Sequence, residues 1–265
     1  MGLMSHAFSF LHPSLTSNAH GTGPTYALVV LNQRLPRFTP LLWKHAQLRL
    51  CADGGANRLY DEMPELLSDE DPSDVRYRYR PDIIKGDMDS IRSEVKEFYA
   101  NLFMNSRVVL HTAKVSSFHW HLISRHNFEN GYLHQAGTKI VDESYDQDTT
   151  DLHKCVSFIE KRMLELDKSE LSILATGALG GRFDHEVGNI NVLYRFSNIR
   201  IVLLSDDCLI QLLPKTHHHE IHIQPSIEGP HCGLIPIGQP SARTTTTGLQ
   251  WDLRMMLPDI QHNLG

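Results

Sequence analysis

Cysteine is scarce in this chain, and no two cysteines have the spacing of a metal site. Four occur among the 265 residues: Cys51, Cys155, Cys208 and Cys232. None forms a C-x-x-C pair, which argues against a structural zinc site. Their wide spacing in a chain of this length is typical of reduced, mostly buried thiols. We therefore expect a cytoplasmic protein, located in the cytosol.

Long apolar runs and an excess of positive charge are also absent. No apolar run approaches the roughly 18 residues that cross a bilayer. The formal net charge of −6 argues against a protein that coats nucleic acid. Residues 1–24 contain no Lys or Arg, so they lack the basic features of a signal or transit peptide. We expect no membrane partner, no nucleic-acid partner and a flexible N-terminus over residues 1–24.

Strand-like and helix-like stretches alternate through the middle of the chain. The predicted strands share a short apolar run, and they cover residues 26–31, a run ending at residue 53, and residues 82–85, 138–141, 171–175 and 201–204. A helix after residue 150 places its apolar side chains at the 3.6-residue period of one buried face. This alternation predicts the α/β fold class, with a Rossmann-like parallel sheet in a catalytic domain over residues 25–207.

After Asp207 the pattern changes to short β-type runs separated by Pro, Gly and His. These runs cover residues 209–213, 220–223, 232–237 and 242–247, and they predict a small antiparallel β-sandwich domain over residues 208–253. The three histidines at 217–219 are interpreted as a solvated turn. Two segments fit neither domain. We interpret residues 103–136 as an atypical insertion and residues 254–265 as an atypical tail.

Three groups of carboxylates follow predicted strands. They are Asp53, then Asp87 with Asp89, then Asp146 with Asp148 and Asp151. Ligands of an open α/β sheet bind outside the carboxyl ends of its strands, and several carboxylates converging there would repel one another. Mg²⁺ is usually held by such carboxylates together with substrate phosphates. The pattern therefore predicts metal-assisted phosphoryl chemistry.

Each acidic group also has a structural explanation. Asp148 could cap the helix that follows it, with Asp151 in the first turn. Asp89 could cap the next helix in the same way, and Asp53 could belong to a plain turn. Their recurrence after successive strands favours the metal site.

A glycine-rich loop follows the strand at residues 171–175. Gly177, Gly180 and Gly181 could let backbone N–H groups approach a nucleotide, although they match neither G-x-G-x-x-G nor the Walker A pattern. Arg182 could grip phosphate and Asp184 could orient it. Farther along, the Trp251 ring could stack on a flat, cationic heterocycle or belong to an ordinary core.

Five motifs together resemble those of the thiamine pyrophosphokinase family, in its plant-like eukaryotic form. They are residues 53–58 (DGGANR), 86–90 (GDMDS), 146–151 (DQDTTD), 180–184 (GGRFD) and 245–251 (TTTGLQW). The resemblance implies an enzyme that transfers diphosphate from ATP to thiamine, giving thiamine diphosphate and AMP. It also implies a homodimer of an α/β domain and a β-sandwich, with the site between subunits.

The resemblance implies a role for each matching residue. Mg²⁺ would be held by Asp87, Asp89 and Asp151. The catalytic set would be Asp53, Gln147, Asp148 and Asp151, with Asp148 or Asp151 deprotonating the thiamine hydroxyl. Contacts to ATP would come from Asn57, Arg58, Thr150, Gly180, Gly181, Arg182 and Asp184. Thiamine would be bound by Thr247 and Trp251.

Two features depart from the family pattern. The segment 103–136 has no expected counterpart, and the closing strands of the β-sandwich are expected after Leu253 but are missing. Two alternatives therefore stay open. One is a catalytically impaired variant that binds nucleotide or a normal subunit. The other is a different Mg-dependent nucleotide transferase, against which Trp251 and the threonine run argue.

Overall fold

The computed structural model describes residues 2–12, 25–101, 138–166, 171–238, 241 and 244–254. The predicted insertion at 103–136 lies outside this part of the chain, as do residues 13–24 and the tail after residue 254. Two compact units are formed, Met1–Ile223 and Gln224–Gly265.

The strands and helices of the first unit alternate along most of its length. The strands are β1 Gly2–Ala7, β2 Thr25–Val30, β3 Leu48–Ala52, β4 Ile83–Gly86, β5 Lys139–Asp142, β6 Leu171–Thr176, β7 Arg200–Leu204, β8 Leu209–Gln211 and β9 His217–His222. The helices are α1 Thr39–His45, α2 Gly55–Leu66, α3 Pro72–Arg78, α4 Ser93–Asn101, α5 Asp151–Leu166 and α6 Phe183–Arg195. The strands predicted between residues 26 and 204, and the helix predicted after residue 150, are confirmed with small shifts at their ends.

One sheet organises this unit. Its strand order is β5-β4-β3-β2-β6-β7-β8, and every neighbouring pair is parallel except β7 with β8. The chain builds outward from β2 to β5 and then continues from the other edge of β2 with β6. The order therefore reverses between β2 and β6, which is where open α/β sheets form their ligand crevice.

The central strand β2 is buried on both faces. Tyr26, Leu28 and Val30 point into one apolar core, and Ala27 and Val29 point into the other. Such continuous apolar burial is typical of a parallel strand covered by helices on both sides. The two cores fix the sheet, so the loops at its carboxyl edge are held on a rigid support.

The N-terminus is not flexible as predicted, at least over residues 2–12. β1 pairs in parallel with β9, from Gly2 opposite His217 to Ala7 opposite His222. Phe8 and Phe10 are buried, and the Phe10 ring packs edge-on against Tyr26 at 5.7 Å between centroids. Burial of two aromatic side chains offsets the entropy lost when this segment is ordered.

The histidines at 217–219 form part of β9 and not the predicted turn. His219 Nε2 donates to the Pro214 carbonyl at 2.9 Å, because a carbonyl oxygen can only accept. His219 Nδ1 and His6 Nε2 are hydrogen-bonded to each other at 3.0 Å. Burial, followed by the charge of Arg200, lowers the pKa of His6 to about 4. His6 is therefore neutral at pH 7.

The boundary predicted at residue 207 also differs from the structure. β8, predicted as the first strand of the sandwich, pairs antiparallel with β7 of the main sheet, and the first unit continues to Ile223. Residues 232–237 and 244–247 have irregular backbone in place of the predicted strands. The apolar run 209–211 completes the main sheet because the exposed edge of β7 offers it backbone partners.

Within the described ranges, no helix combines the length and apolar character needed to cross a membrane.

Replacing Phe10 by Ala should destabilise the first unit. Phe10 is only 1% exposed, and loss of a fully buried phenyl ring costs about 3–5 kcal/mol. The free energy of unfolding, measured by urea denaturation, should fall by that amount. Leu3, on the same N-terminal segment but 69% exposed, is the control, and Leu3→Ala should stay within about 0.5 kcal/mol. Equal, small effects of both would show that the N-terminal segment is not packed.

Candidate functional site

Three carboxylates meet where β3 and β4 end. Asp53 follows β3 with a left-handed φ of 41°, and its N–H donates to the Lys85 carbonyl of β4 at 3.0 Å. Asp87 follows β4 directly, and Asp89 lies two residues further. One carboxylate oxygen from each of Asp53, Asp87 and Asp89 lies within 4.8 Å of the others. The fold therefore brings together two of the three predicted acidic groups, Asp53 and the pair Asp87 and Asp89.

Asp53 is the buried anchor of this cluster. Its two carboxylate oxygens accept from the backbone N–H groups of Ser90 at 2.9 Å and Ile91 at 3.0 Å. Burial raises the pKa of Asp53, the two N–H donors oppose that rise, and the neighbouring charge of Asp87 adds to it. A proton or a cation would therefore stabilise this carboxyl group.

Gly86 lets the two strand ends approach closely. A Cβ atom at this position would lie 2.7 Å from the Cβ of Asp53 and 3.3 Å from Asp151 Oδ1. Contacts under 3.0 Å between such atoms force the backbone apart. Any residue larger than glycine would thus separate the carboxylates that the strand ends bring together.

Asp151, at the start of α5, faces the same cluster. Burial raises its pKa to about 6, with further contributions from the charges of Asp53 and Asp87, while Lys154 lowers it. Asp151 is therefore electrostatically coupled to the carboxylates after β3 and β4. The predicted metal set of Asp87, Asp89 and Asp151 stays a prediction, and the geometry adds Asp53 to the candidates.

The donor set fits Mg²⁺. Carboxylate oxygens are hard ligands, and octahedral Mg²⁺ at about 2.1 Å places neighbouring oxygens about 3.0 Å apart and opposite ones about 4.2 Å apart. The separations of up to 4.8 Å between Asp53, Asp87 and Asp89 are close to this range. Small side-chain movements would bring the three oxygens to one ion.

The loop at 146–151 is organised by Asp146. Its carboxylate accepts from the N–H groups of Asp148 at 3.1 Å and Thr149 at 3.2 Å. The Thr150 hydroxyl accepts from the His153 N–H at 3.3 Å, so Thr150 caps α5 and not Asp148. Asp148 and Gln147 are exposed, with Gln147 donating to the Ser144 carbonyl at 2.9 Å.

Asn57 clamps the loop that carries Asp89. Its amide nitrogen donates to the Ser90 carbonyl at 2.9 Å, and its amide oxygen accepts from the Arg92 N–H at 3.1 Å. Both ends of the side chain are therefore used within the protein. Arg58, also predicted to contact ATP, pairs with Glu62 at 2.9 Å and donates to Asn32 Oδ1 at 3.3 Å.

The crevice at the switch point is lined by two loops that interlock. Leu31 N–H donates to the Thr176 carbonyl at 2.8 Å, and Gln33 N–H donates to the Gly177 carbonyl at 3.1 Å. Gly177 and Gly181 have positive φ, and a Cβ at Gly181 would lie 2.7 Å from the Gln33 side-chain amide. The glycine-rich loop therefore approaches the segment after β2 closely.

Sequence reasoning missed Asn32 and Gln33. They lie two and three residues after the end of the buried strand β2, close to the position that Asp53 and Asp87 take after β3 and β4, and that position was the available signal. They are polar but uncharged, so they did not stand out among the acidic groups.

Arg182 and Asp184 form an ion pair with each other at the start of α6. Both side chains are mostly exposed, at 70% and 61%. The Gly180 N–H donates to the Glu186 carboxylate on the same helix. The predicted phosphate-binding residues of this loop thus lie together, next to the Gln33 side chain that touches Gly181.

The two residues predicted to bind thiamine lie in the second unit. Asp252 holds their turn together by accepting from the Thr246 hydroxyl and the Leu249 N–H, each at 3.0 Å. Trp251 is 81% exposed. Its ring is therefore available for stacking and is not a core side chain, which was the alternative that sequence analysis left open.

Without divalent cations, stability should fall as pH rises through the titration of Asp151. The folded pKa of about 6 exceeds the ordinary value of 3.8, so the folded chain retains a proton that the unfolded chain has released. This group's contribution is complete below the lower value and is lost as pH rises through the upper one.

The pH dependence should appear in urea unfolding with EDTA present, over about three pH units from about 4 to about 7. Asp151→Asn should remove this part of the decline. The exposed Asp69→Asn serves as the control, since it should leave the decline intact. Identical profiles for the native chain and Asp151→Asn would contradict the coupling.

Two family models match the chain. The model described as "Thiamin pyrophosphokinase, catalytic domain" matches residues 39–114 and 123–203. The model described as "Thiamin pyrophosphokinase, vitamin B1 binding domain" matches residues 218–258. The first match is interrupted at 115–122, inside the predicted insertion at 103–136. The family model therefore matches part of the segment 103–136, for which no counterpart was expected, and leaves only residues 115–122 of it unmatched.

Individual relatives show the same similarity. Thiamine pyrophosphokinase 1 of Oryza sativa subsp. japonica is 61% identical over 255 residues, covering 94% of this chain and 84% of that protein. Thiamine pyrophosphokinase 1 of Arabidopsis thaliana is 60% identical over 253 residues, covering 96% and 81%. The crystal structure of yeast thiamin pyrophosphokinase has a TM-score of 0.65 at 26% identity, covering 96% of this chain and 80% of that one. These matches confirm the predicted fold class.

Proposed function

Because the chain belongs to the thiamine pyrophosphokinase family, we propose that it is an ATP-dependent thiamine diphosphokinase. The reaction joins the hydroxyl oxygen of thiamine to the β-phosphorus of ATP and releases AMP, giving thiamine diphosphate. The observation that carries this proposal is the carboxylate cluster of Asp53, Asp87 and Asp89. It lies at the carboxyl edge of the sheet whose switch point forms a glycine-lined crevice.

The residues divide into two groups around the nucleotide. Mg²⁺ would be held by the carboxylates of Asp53, Asp87, Asp89 and Asp151. When bound, the ion would neutralise phosphate charge and help to orient the β- and γ-phosphates. The loop after β6, with Gly180, Gly181 and Arg182, would hold the rest of ATP against the segment that contains Gln33. Positioning of this kind supplies much of the rate enhancement in phosphoryl transfer.

Asp151 is the better candidate for the base that accepts the hydroxyl proton. It lies against the strand ends, near Gly86, whereas Asp148 is exposed on the loop. As the hydroxyl oxygen attacks, its proton passes to the carboxylate and AMP leaves.

Asn57 takes a different role from the predicted contact with ATP. Its side chain holds the Ser90 carbonyl and the Arg92 N–H, and the N–H groups of Ser90 and Ile91 in turn hold Asp53. We propose that Asn57 positions the loop on which the carboxylate cluster depends.

We also propose a cytosolic homodimer. Phe183, Val187 and Tyr194 are exposed at 76%, 44% and 42%, and their spacing places them on one face of α6. A contiguous exposed apolar face of this kind favours association with a second copy.

The proposed cytosolic location is supported by the unpaired state of all four cysteines and by the compartment preference of disulfides.

The two alternatives are not favoured. A different Mg-dependent transferase would not account for matches to both the catalytic and the vitamin B1 binding models. The impaired variant has no support in the carboxylate geometry, since the strand ends bring the acidic residues together. The direct test is AMP release from ATP by the purified chain, measured with and without thiamine.

Asp87→Asn should weaken binding of ATP in the presence of Mg²⁺ by more than about tenfold, or about 1.4 kcal/mol. The substitution removes one of the three charges that the cluster offers to the ion. Calorimetric titration with a non-hydrolysable ATP analogue in excess Mg²⁺ measures the effect. Asp69→Asn, an exposed site on the same unit, should bind normally. Unchanged affinity in Asp87→Asn would place the metal elsewhere.

Trp251→Ala should raise the KM for thiamine by roughly two- to thirtyfold, as expected when a cation–π contact worth about 0.5–2 kcal/mol is lost. Trp251→Phe should recover part of the loss because it restores an aromatic face. The KM for ATP should stay within about twofold in both variants, since stacking on the thiazolium does not involve the nucleotide. A larger effect on the KM for ATP than on that for thiamine would contradict the assignment.

A further inference from the structure

Lys154 is a buried cation beside the acidic cluster. It lies on α5, three residues after Asp151, and its side chain is only 2% exposed. The ammonium nitrogen is 3.8 Å from Asp87 Oδ2. No role was predicted for it from the sequence, because its partner Asp87 lies on another element.

A buried ammonium group is costly unless carboxylates compensate its charge. Besides Asp87, the charge of Lys154 acts on Asp151 and Asp89, lowering the pKa of both. Asp87 is therefore the carboxylate that pairs with this buried lysine, whereas Asp151 and Asp89 only lie within range of its charge.

The other buried lysine next to the cluster has a different environment. Lys85 is 3% exposed and pairs with Glu143, and its ammonium lies 5.4 Å from the Phe158 ring centroid. Lys85 thus has a carboxylate and an aromatic face of its own. This contrast leaves Lys154 as the cation that compensates Asp87.

We infer that Lys154 is a positioning residue that determines whether the cluster binds Mg²⁺ alone or Mg²⁺ in complex with ATP. Its ammonium holds Asp87 in place and supplies a fixed positive charge beside the proposed Mg²⁺ site. That charge repels a bare divalent cation but attracts the phosphates of a metal–nucleotide complex. The site therefore takes Mg²⁺ with ATP in preference to Mg²⁺ alone, and the inference rests on the proposed function.

Removing the charge should change the two affinities in opposite directions. In Lys154→Met, binding of Mg²⁺ without nucleotide should tighten by roughly tenfold or more, because repulsion between like charges a few ångströms apart is lost. Binding of Mg²⁺ with a non-hydrolysable ATP analogue should weaken, because the attraction for phosphate is lost as well. A lysine that served only packing would weaken both or neither.

The experiment compares three variants by calorimetry, with Mg²⁺ alone and with the Mg²⁺–analogue complex. Lys154→Arg keeps the charge and should retain both native affinities within about threefold. Lys161→Met, at an exposed position two turns further along the same helix, should change neither. Unchanged or weaker binding of Mg²⁺ alone by folded Lys154→Met would overturn the inference.

If Lys154→Met does not fold, the stability of two other variants decides. Asp87→Asn in EDTA leaves the buried ammonium without its nearest carboxylate and should lower the free energy of unfolding. Asp89→Asn should not, because Asp89 is exposed and is not paired with Lys154. Equal stabilities of these two variants would reject the role of Lys154.

The proposed function fails in a distinguishable way. If the native chain binds Mg²⁺ neither alone nor with the ATP analogue, the metal site itself is wrong. If the native chain binds the complex but Lys154→Met leaves both affinities unchanged, only the role of Lys154 is wrong.

Discussion

The site depends on holding like charges together at the ends of β3 and β4. The backbone N–H groups of Ser90 and Ile91 fix the Asp53 carboxylate, Gly86 gives it room, and Lys154 compensates Asp87. Each contact opposes a repulsion that the converging strands create. The parallel sheet makes this possible, because its buried strands hold their carboxyl ends in register. Under the proposed function, this cluster would receive a cation that arrives with phosphates.

The same edge of the sheet places the cluster close to the crevice proposed to bind the nucleotide. The strand order reverses between β2 and β6, and the loops after these strands are joined by the hydrogen bond from Gln33 to Gly177. Asn57 and Arg58, at the start of α2, connect the loop after β4 to the segment after β2. The proposed metal and nucleotide regions are therefore parts of one hydrogen-bonded edge, which suits a reaction that relies on positioning.

Much of this arrangement could be predicted from the sequence, because its signals are local. The apolar run before Asp53 and the 3.6-residue period of α5 each need only a few neighbouring residues to be recognised. The segment at 2–12 could not be predicted, since its order depends on pairing with β9 about 200 residues away. The clamp of Asn57 and the burial of Lys154 were missed for the same reason. Each role is defined by partners on another element, Ser90 and Asp87.

Crystals grown with Mn²⁺ in place of Mg²⁺, together with a non-hydrolysable ATP analogue, would test the central claim most directly. The account predicts an anomalous Mn²⁺ peak bound by oxygens of Asp87 and of at least one of Asp53, Asp89 and Asp151, with phosphate oxygens completing its coordination. A peak away from the ends of β3 and β4, or phosphates bound without any metal at these carboxylates, would contradict it.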